Sequence, residues 1–178
     1  METNLYPDQP SYPNAKRPGL YNEGMEFEDF CRERCLEIGL VLNRYSSRKY
    51  QFEKGDGKID EIKLDNRFTD TRRLSIEIAE KSREVNPYYV PSGIYAKSNF
   101  WLYIQGNYDL IFVFSRKTLQ RLHKEGLYRE HQKPTIISYY LPVADAIEHC
   151  EMFIVISELG KSLVDNCNQD DKGEVSDY

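Results

Sequence analysis

At 178 residues the chain has room for one domain of ordinary size and a proper core. Apolar residues at 40% and charged residues at 30% exclude a disordered or fibrous chain. A net charge of -5 argues against gripping nucleic acid with the whole surface but leaves a local basic groove open. The acidic stretch from Asp165 to Tyr178 adds negative charge without belonging to any binding face. The 14 Tyr and 8 Phe suit a strand-rich core.

Residues 1–22 carry Pro7, Pro10, Pro13 and Pro18 with few aliphatics and read as an irregular arm. A folded domain is expected over 23–160, and an acidic, disordered tail over 161–178. Phe27, Phe30, Cys31, Cys35 and Ile38 fall at helical spacing and predict a helix from Met25, with Gly39 as its C-cap. A strand-like run covers 40–52, interrupted at 46–49, and Gly55-Asp56-Gly57 reads as a turn. Apolar and charged residues alternate over 59–65 and again over 74–81, the period of half-buried strands. The polar turn at 66–73 between them suggests antiparallel pairing.

Residues 82–99, with Pro87, Pro91 and Gly93, form a loop long enough to suspect a role in function. Strands are expected over 100–104 and 108–114, the second apolar enough to lie centrally, and over 135–141 up to Pro142. Ser115 can N-cap a helix running to Lys124 and closed by Gly126, and a short helix is expected over 143–150. Residues 152–156 read as a last strand or the start of a helix.

Cys31, Cys35, Cys150 and Cys167 form no CxxC pair, and His123, His131 and His149 lack helical spacing to the first two, so free thiols are expected. No apolar run approaches a membrane span and no signal-peptide pattern opens the chain, which predicts a cytoplasmic protein with no membrane partner. G-x-S-x-G, P-loop and G-x-G-x-x-G motifs are all missing from the sequence.

Asp65 ends one predicted strand and Glu77 lies within the next. Acids on neighbouring strands can converge on a divalent cation, which would activate water and neutralise a phosphodiester. Period two places Glu77, Ala79 and Lys81 on one face, so Lys81 is the nearest amine. A rival registration uses Glu61-Ile62-Lys63, a literal E-x-K, with Asp56 or Glu53 as partner acid. The plain alternative is that acids alternating with Ile mark a solvated sheet face.

The order helix with Glu28, strand with Asp65, strand with Glu77 and a following Lys resembles the αβββαβ core of the PD-(D/E)xK nucleases over Met25 to Leu141. The run Ser92-Gly93-Ile94-Tyr95 to Trp101 is similar to an SGI…W stretch of some small phage and prophage members. The resemblance implies an α/β (α+β), restriction-endonuclease-like fold with a mixed central sheet flanked by helices. It also implies Mg²⁺ or Mn²⁺ on Asp65 and Glu77, support from Glu28, and Lys81 assisting the attacking water. One departure stands out, since E-x-K needs Lys where Ala79 is found.

The expected activity is hydrolysis of phosphodiester bonds in nucleic acid, DNA being the expected substrate. Arg48, Lys49, Ser92, Lys97 and Trp101 are the candidate nucleic-acid contacts. Tyr88, Tyr89 and Tyr95 can stack on bases or pack the loop down, and Arg116, Lys117, Arg121 and Lys124 give the later helix a basic face. A homodimer stays open, because many nucleases cut both strands by pairing. The alternative is a weak or inactive binding module of the same fold, serving a phage or defence system.

Overall fold

The computed structural model describes residues 18–42 and 60–170, with side chains from 23–42 and 60–167. The architecture is mixed α/β, with two four-stranded sheets and five α-helices among the described residues. The elements are α1 (Pro18–Glu37), β1 (Asp60–Leu64), α2 (Phe68–Thr71), β2 (Arg73–Glu80), β3 (Val90–Pro91), β4 (Leu102–Gly106), β5 (Leu110–Ser115), α3 (Arg116–Lys124), β6 (Glu130–Gln132), β7 (Ile136–Pro142), α4 (Val143–His149), β8 (Met152–Val155) and α5 (Glu158–Asp170), with a 3₁₀ turn at Gly93–Tyr95. The strand expected over 40–52, the turn at 55–57, and Arg48, Lys49, Glu53 and Asp56 lie outside the described residues, apart from 40–42.

Helix α1 begins at Pro18, inside the expected arm. Proline suits a first helical position because the N–H it lacks would find no partner there. Helix α5 runs through Asp170 and covers the first part of the stretch expected to be a tail. The expected turn at 66–73 contains α2, and the long loop contains β3 and the 3₁₀ turn.

The first sheet has the order β1-β4-β5-β8, with β1 parallel to β4 and the other pairs antiparallel. The second, β3-β2-β7-β6, is antiparallel throughout. The antiparallel meander expected between the strands of Asp65 and Glu77 is therefore replaced. The chain leaves β1, turns through α2 and enters β2 in the other sheet, then returns through the 3₁₀ turn to lay β4 beside β1. A parallel neighbour needs such an excursion, because a tight turn can join only antiparallel strands.

Strand β5 is inner and buried on both faces, as its apolar run suggested. Ile111 and Val113 join Ile62, Leu102 and Ile104 beneath Phe27, Cys31 and Cys35 of α1. Leu110, Phe112 and Phe114 point the other way, into a second core with Tyr103, Leu74, Ile76, Tyr139 and Leu141. The second sheet packs here, together with Leu119 and Leu122 of α3 and Leu163 and Val164 of α5. Cys31, Cys35 and Cys150 are free thiols; burial pushes the Cys31 thiol far above its ordinary range and Cys35 up to about 11.

Residues 94–100 are stapled rather than loose. The Arg116 guanidinium donates to the carbonyls of Ile94 (2.7 Å), Ala96 (2.5 Å), Ser98 (2.6 Å) and Phe100 (3.3 Å), and lies 4.3 Å over the Phe100 ring. One residue of the expected basic face of α3 is thus consumed in holding a loop. Four acceptors need the planar fork of arginine. Truncation in Arg116→Ala should cost about 3 kcal/mol, the range for losing charged hydrogen bonds to partly buried acceptors. Arg116→Lys should recover only a small part, and urea denaturation of both variants measures the difference.

Candidate functional site

Alternation along β1 sends Asp60 and Ile62 toward α1 and Glu61, Lys63 and Asp65 to the opposite face. On that face lies an open cleft of about 190 Å³, lined by Lys63, Asp65, Ser75, Glu77, Tyr103, Gln105 and Lys133 among others. The two registrations of the acidic motif accordingly merge. Glu61 and Lys63 of the literal E-x-K face the same space as Asp65 and Glu77.

The Lys63 ammonium lies 3.3 Å from Glu61 Oε1 and 3.6 Å from Glu77 Oε2. Burial pulls its pKa down, but Glu61, Glu77 and Glu80 outweigh burial and leave it raised. Lys63 is therefore a fixed cation at neutral pH. Glu80 is held toward its protonated form by burial first and then by Glu77, with Lys63 opposing. The carboxylates on this face thus outnumber its ammoniums, Lys63 and Lys133.

Glu80 reaches this face because of a β-bulge. Pairing of β2 with β7 shifts between Glu77↔Ser138 and Ala79↔Ile137, leaving Ile78 extra. Ile137 packs on the core, so Ala79, its partner, is turned from the cleft and Glu80 takes the place on Glu77's side. The period-two expectation that grouped Glu77, Ala79 and Lys81 fails at this point. Lys81 donates to the Asn86 carbonyl at 3.1 Å and lies 4.8 Å over Tyr89, closing the 82–89 loop. Lys63 holds the position at Glu77 for which Lys81 was proposed.

Behind the bulge, Gly93 has φ +48° and a Cβ there would come 2.2 Å from the Glu77 carbonyl oxygen. The Ser92 N–H also donates to the Ile78 carbonyl at 3.1 Å. The Ser-Gly-Ile stretch thus braces Glu77 from behind. Ser92 is buried, whereas Lys97 and Trp101 are exposed on the stapled loop.

Glu28 does not join the cleft. It receives Arg32 at 3.2 Å, and Arg32 also lies 3.8 Å from buried Asp60. These contacts are on the α1 side of the sheet, so the expected helix acid is separated from Asp65 and Glu77 by β1 itself.

Asp65 is the most heavily bonded acid of the group. Its carboxylate accepts from the N–H groups of Arg67 (3.2 Å) and Ser75 (3.0 Å) and from Gln105 Nε2 (2.9 Å). Gln105 Nε2 also donates to the Ser75 carbonyl at 3.1 Å, while its buried Oε1, at the cleft, has no partner among the described residues. The buried Tyr103 hydroxyl lies against the Glu77 backbone without hydrogen-bond geometry, and burial, then Glu77 and Glu61, hold its pKa well above the ordinary value. Sequence reasoning missed Ser75, Tyr103, Gln105 and Lys133, which no motif marks.

A polar cleft with two unsatisfied buried groups, an acidic cluster and a fixed ammonium can bind a hydrated cation or a polar ligand. Among the described residues no three His, Cys, Asp or Glu side chains are grouped as a ready-made metal cage. The chain matches no protein-family model, no curated protein and no solved structure. Among the described residues no helix is long and apolar enough to cross a membrane.

Removing the Asp65 acceptor leaves the Ser75 N–H and the Gln105 amide unpaired. Asp65→Ala should lower unfolding free energy by about 3 kcal/mol and Asp65→Asn by about half of that, read by urea denaturation. Glu80 gives a pH signature. The unfolded side chain loses its proton near the ordinary 4.5 and the folded one only at higher pH, so stability falls as pH rises between those two values. Glu80→Gln should remove that part of the slope in melting curves taken across this range.

Proposed function

We propose that the cleft is the active site of a metal-dependent nuclease, and that the chain is a variant of the restriction-endonuclease-like design. The observation that carries this reading is the convergence of Asp65, Glu77 and Lys63, an acid–acid–amine set, from two different strands on one cleft. The carboxylates Glu61, Asp65, Glu77 and Glu80 on this face outnumber the ammoniums of Lys63 and Lys133, which favours a cation.

The donor set fits Mg²⁺ or Mn²⁺ better than a transition metal. Magnesium takes one or two carboxylates and keeps several waters, so Glu77 with the remaining acceptor capacity of Asp65 suffices and a larger cage is not needed. Such an ion supplies a nucleophile from bound water and charge neutralisation at the phosphodiester. Lys63, fixed in its charged form, cannot take the proton of the attacking water; it orients that water and offsets charge on the phosphorus oxygens. Tyr103 and Gln105 keep polar atoms at the cleft for a substrate oxygen or water. The substrate is nucleic acid, with DNA preferred as the first to test.

One observation favours a second reading, a catalytically weak binding module acting as a phage or defence-system accessory. Three of the acceptor positions on Asp65 are already filled by N–H donors, as in a purely structural acid.

Glu77→Gln separates the two, because Glu77 has no backbone donors to orphan. Calorimetric titration of Mg²⁺ or Mn²⁺ should show uptake in the wild type and its loss in Glu77→Gln, with plasmid nicking lost in parallel. A wild type that takes up neither ion at millimolar concentration overturns the nuclease reading and leaves the binding module.

A further inference from the structure

A second cleft of about 260 Å³ opens beside the first and shares Asp65, Ser75 and Lys133 with it. Its other walls are Arg67, Thr71, Arg73 and Tyr140. Arg67, Arg73 and Lys133 are exposed, and among the described residues none of the three has an ion-pair partner. Other cations are committed to acids or carbonyls, as Lys63, Lys81 and Arg116 are. Three cations without an acid partner around one concavity, Lys133 lying 5.8 Å over the Tyr140 ring, are therefore a local exception in a chain of net charge -5.

The arginines are held in place by the backbone between them. Thr71 Oγ1 donates to the carbonyls of Arg67 (2.9 Å) and Arg73 (3.2 Å), tying the two ends of α2 together. Arg72, between Thr71 and Arg73, has φ +52°, a left-handed conformation costing about 1 kcal/mol for a residue other than glycine. That turn swings the chain from α2 into β2 and sets Arg73 across from Arg67. The same turn ends α2, seats Phe68 and Leu74 in the core on either side of it, and turns the Arg72 carbonyl to accept from the Val143 N–H at 3.0 Å.

We propose that Arg67, Arg73 and Lys133 form a groove for the phosphodiester backbone of a nucleic-acid strand, leading it into the carboxylate cleft. The inference rests on the phosphodiester reading of that cleft and adds the side from which the strand enters. Arginine forks match phosphate oxygens in pairs, and Lys133, present in both clefts, bridges the phosphate in the groove to the one at the carboxylates. Such contacts carry no sequence information and depend on salt.

The test is fluorescence anisotropy of a 5′-labelled 20-nucleotide oligo(dT) in EDTA, across a salt series, so that binding is read without metal chemistry. The R67Q/R73Q/K133Q variant should bind at least tenfold more weakly, and its slope of log K against log salt should be shallower by about 2, from three lost contacts on a single strand. The control R121Q/K124Q, on the exposed face of α3, should bind as the wild type does. Circular dichroism melts establish that each variant is folded. The groove is overturned if the triple variant keeps wild-type affinity and slope, or if the wild type does not bind at 50 mM salt. Displacement of the oligonucleotide by inorganic phosphate at matched ionic strength also overturns it, since the cleft would then take a lone anion. Oligonucleotide binding through these residues with no metal uptake would uphold the groove and sink the nuclease reading. Metal uptake and nicking with unchanged binding in the triple variant would do the reverse.

Discussion

The carboxylate of Asp65 is the constraint on which the neighbourhood of the cleft depends. It stands where the chain leaves one sheet for the other and accepts hydrogen bonds from three places: the turn at Arg67, strand β2 at Ser75 and strand β4 at Gln105. β1 and β2 share no ladder, so no run of backbone hydrogen bonds fixes their relative position. One charged acceptor does so instead. Charge-assisted bonds are roughly twice as strong as neutral ones, and three of them converging on one side chain can hold a corner that a hairpin would otherwise have closed.

With that corner fixed, the two sheets divide the polar cluster between them. β1 brings Glu61 and Lys63, β2 brings Glu77 and Glu80, and β4 supplies the polar floor through Tyr103 and Gln105. The bulge at Ile78 decides which residues of β2 take part. A single extra residue moves every later side chain to the opposite face, so Glu80 takes the place on Glu77's side that Ala79 would have had. Gly93 then allows the 92–95 turn to press on the Glu77 backbone, where any side chain would collide. Cluster geometry thus depends on two local irregularities held by packing.

Much of the fold was legible because periodicity reports burial. The helix with Phe27, Cys31 and Cys35, the alternating strands around Ile62 and Ile76, the doubly buried β5 and the helix after Ser115 all follow from apolar spacing. Strand pairing was not legible. Alternation gives the face that each strand buries but not its neighbour, and the parallel β1–β4 pair joins residues some forty positions apart. The bulge was hidden for a related reason, since Ser75-Ile76-Glu77-Ile78-Ala79 alternates without a break and only the register against β7 reveals the slip. Asp65 and Glu77 were within reach because acids in strands are visible. Gln105 and Tyr103 were not, because inside a buried strand they look like ordinary core positions.

The placement of Lys63 changes what Ala79 means. When an acid and its lysine share a strand two residues apart, loss of that lysine removes the amine from the site. Here the strands carrying Glu77 and Lys63 are in different sheets, and the ammonium reaches Glu77 across the gap between them at 3.6 Å. An amine at that distance neutralises the same charge and faces the same cleft whichever strand bears it, since Coulomb attraction depends on separation and burial rather than on sequence order. Ala79, paired with Ile137 beyond the bulge, has no bearing on the amine. The departure from E-x-K is therefore no argument against chemistry in this cleft; the competing argument is the three N–H donors already held by Asp65, and it concerns a different residue.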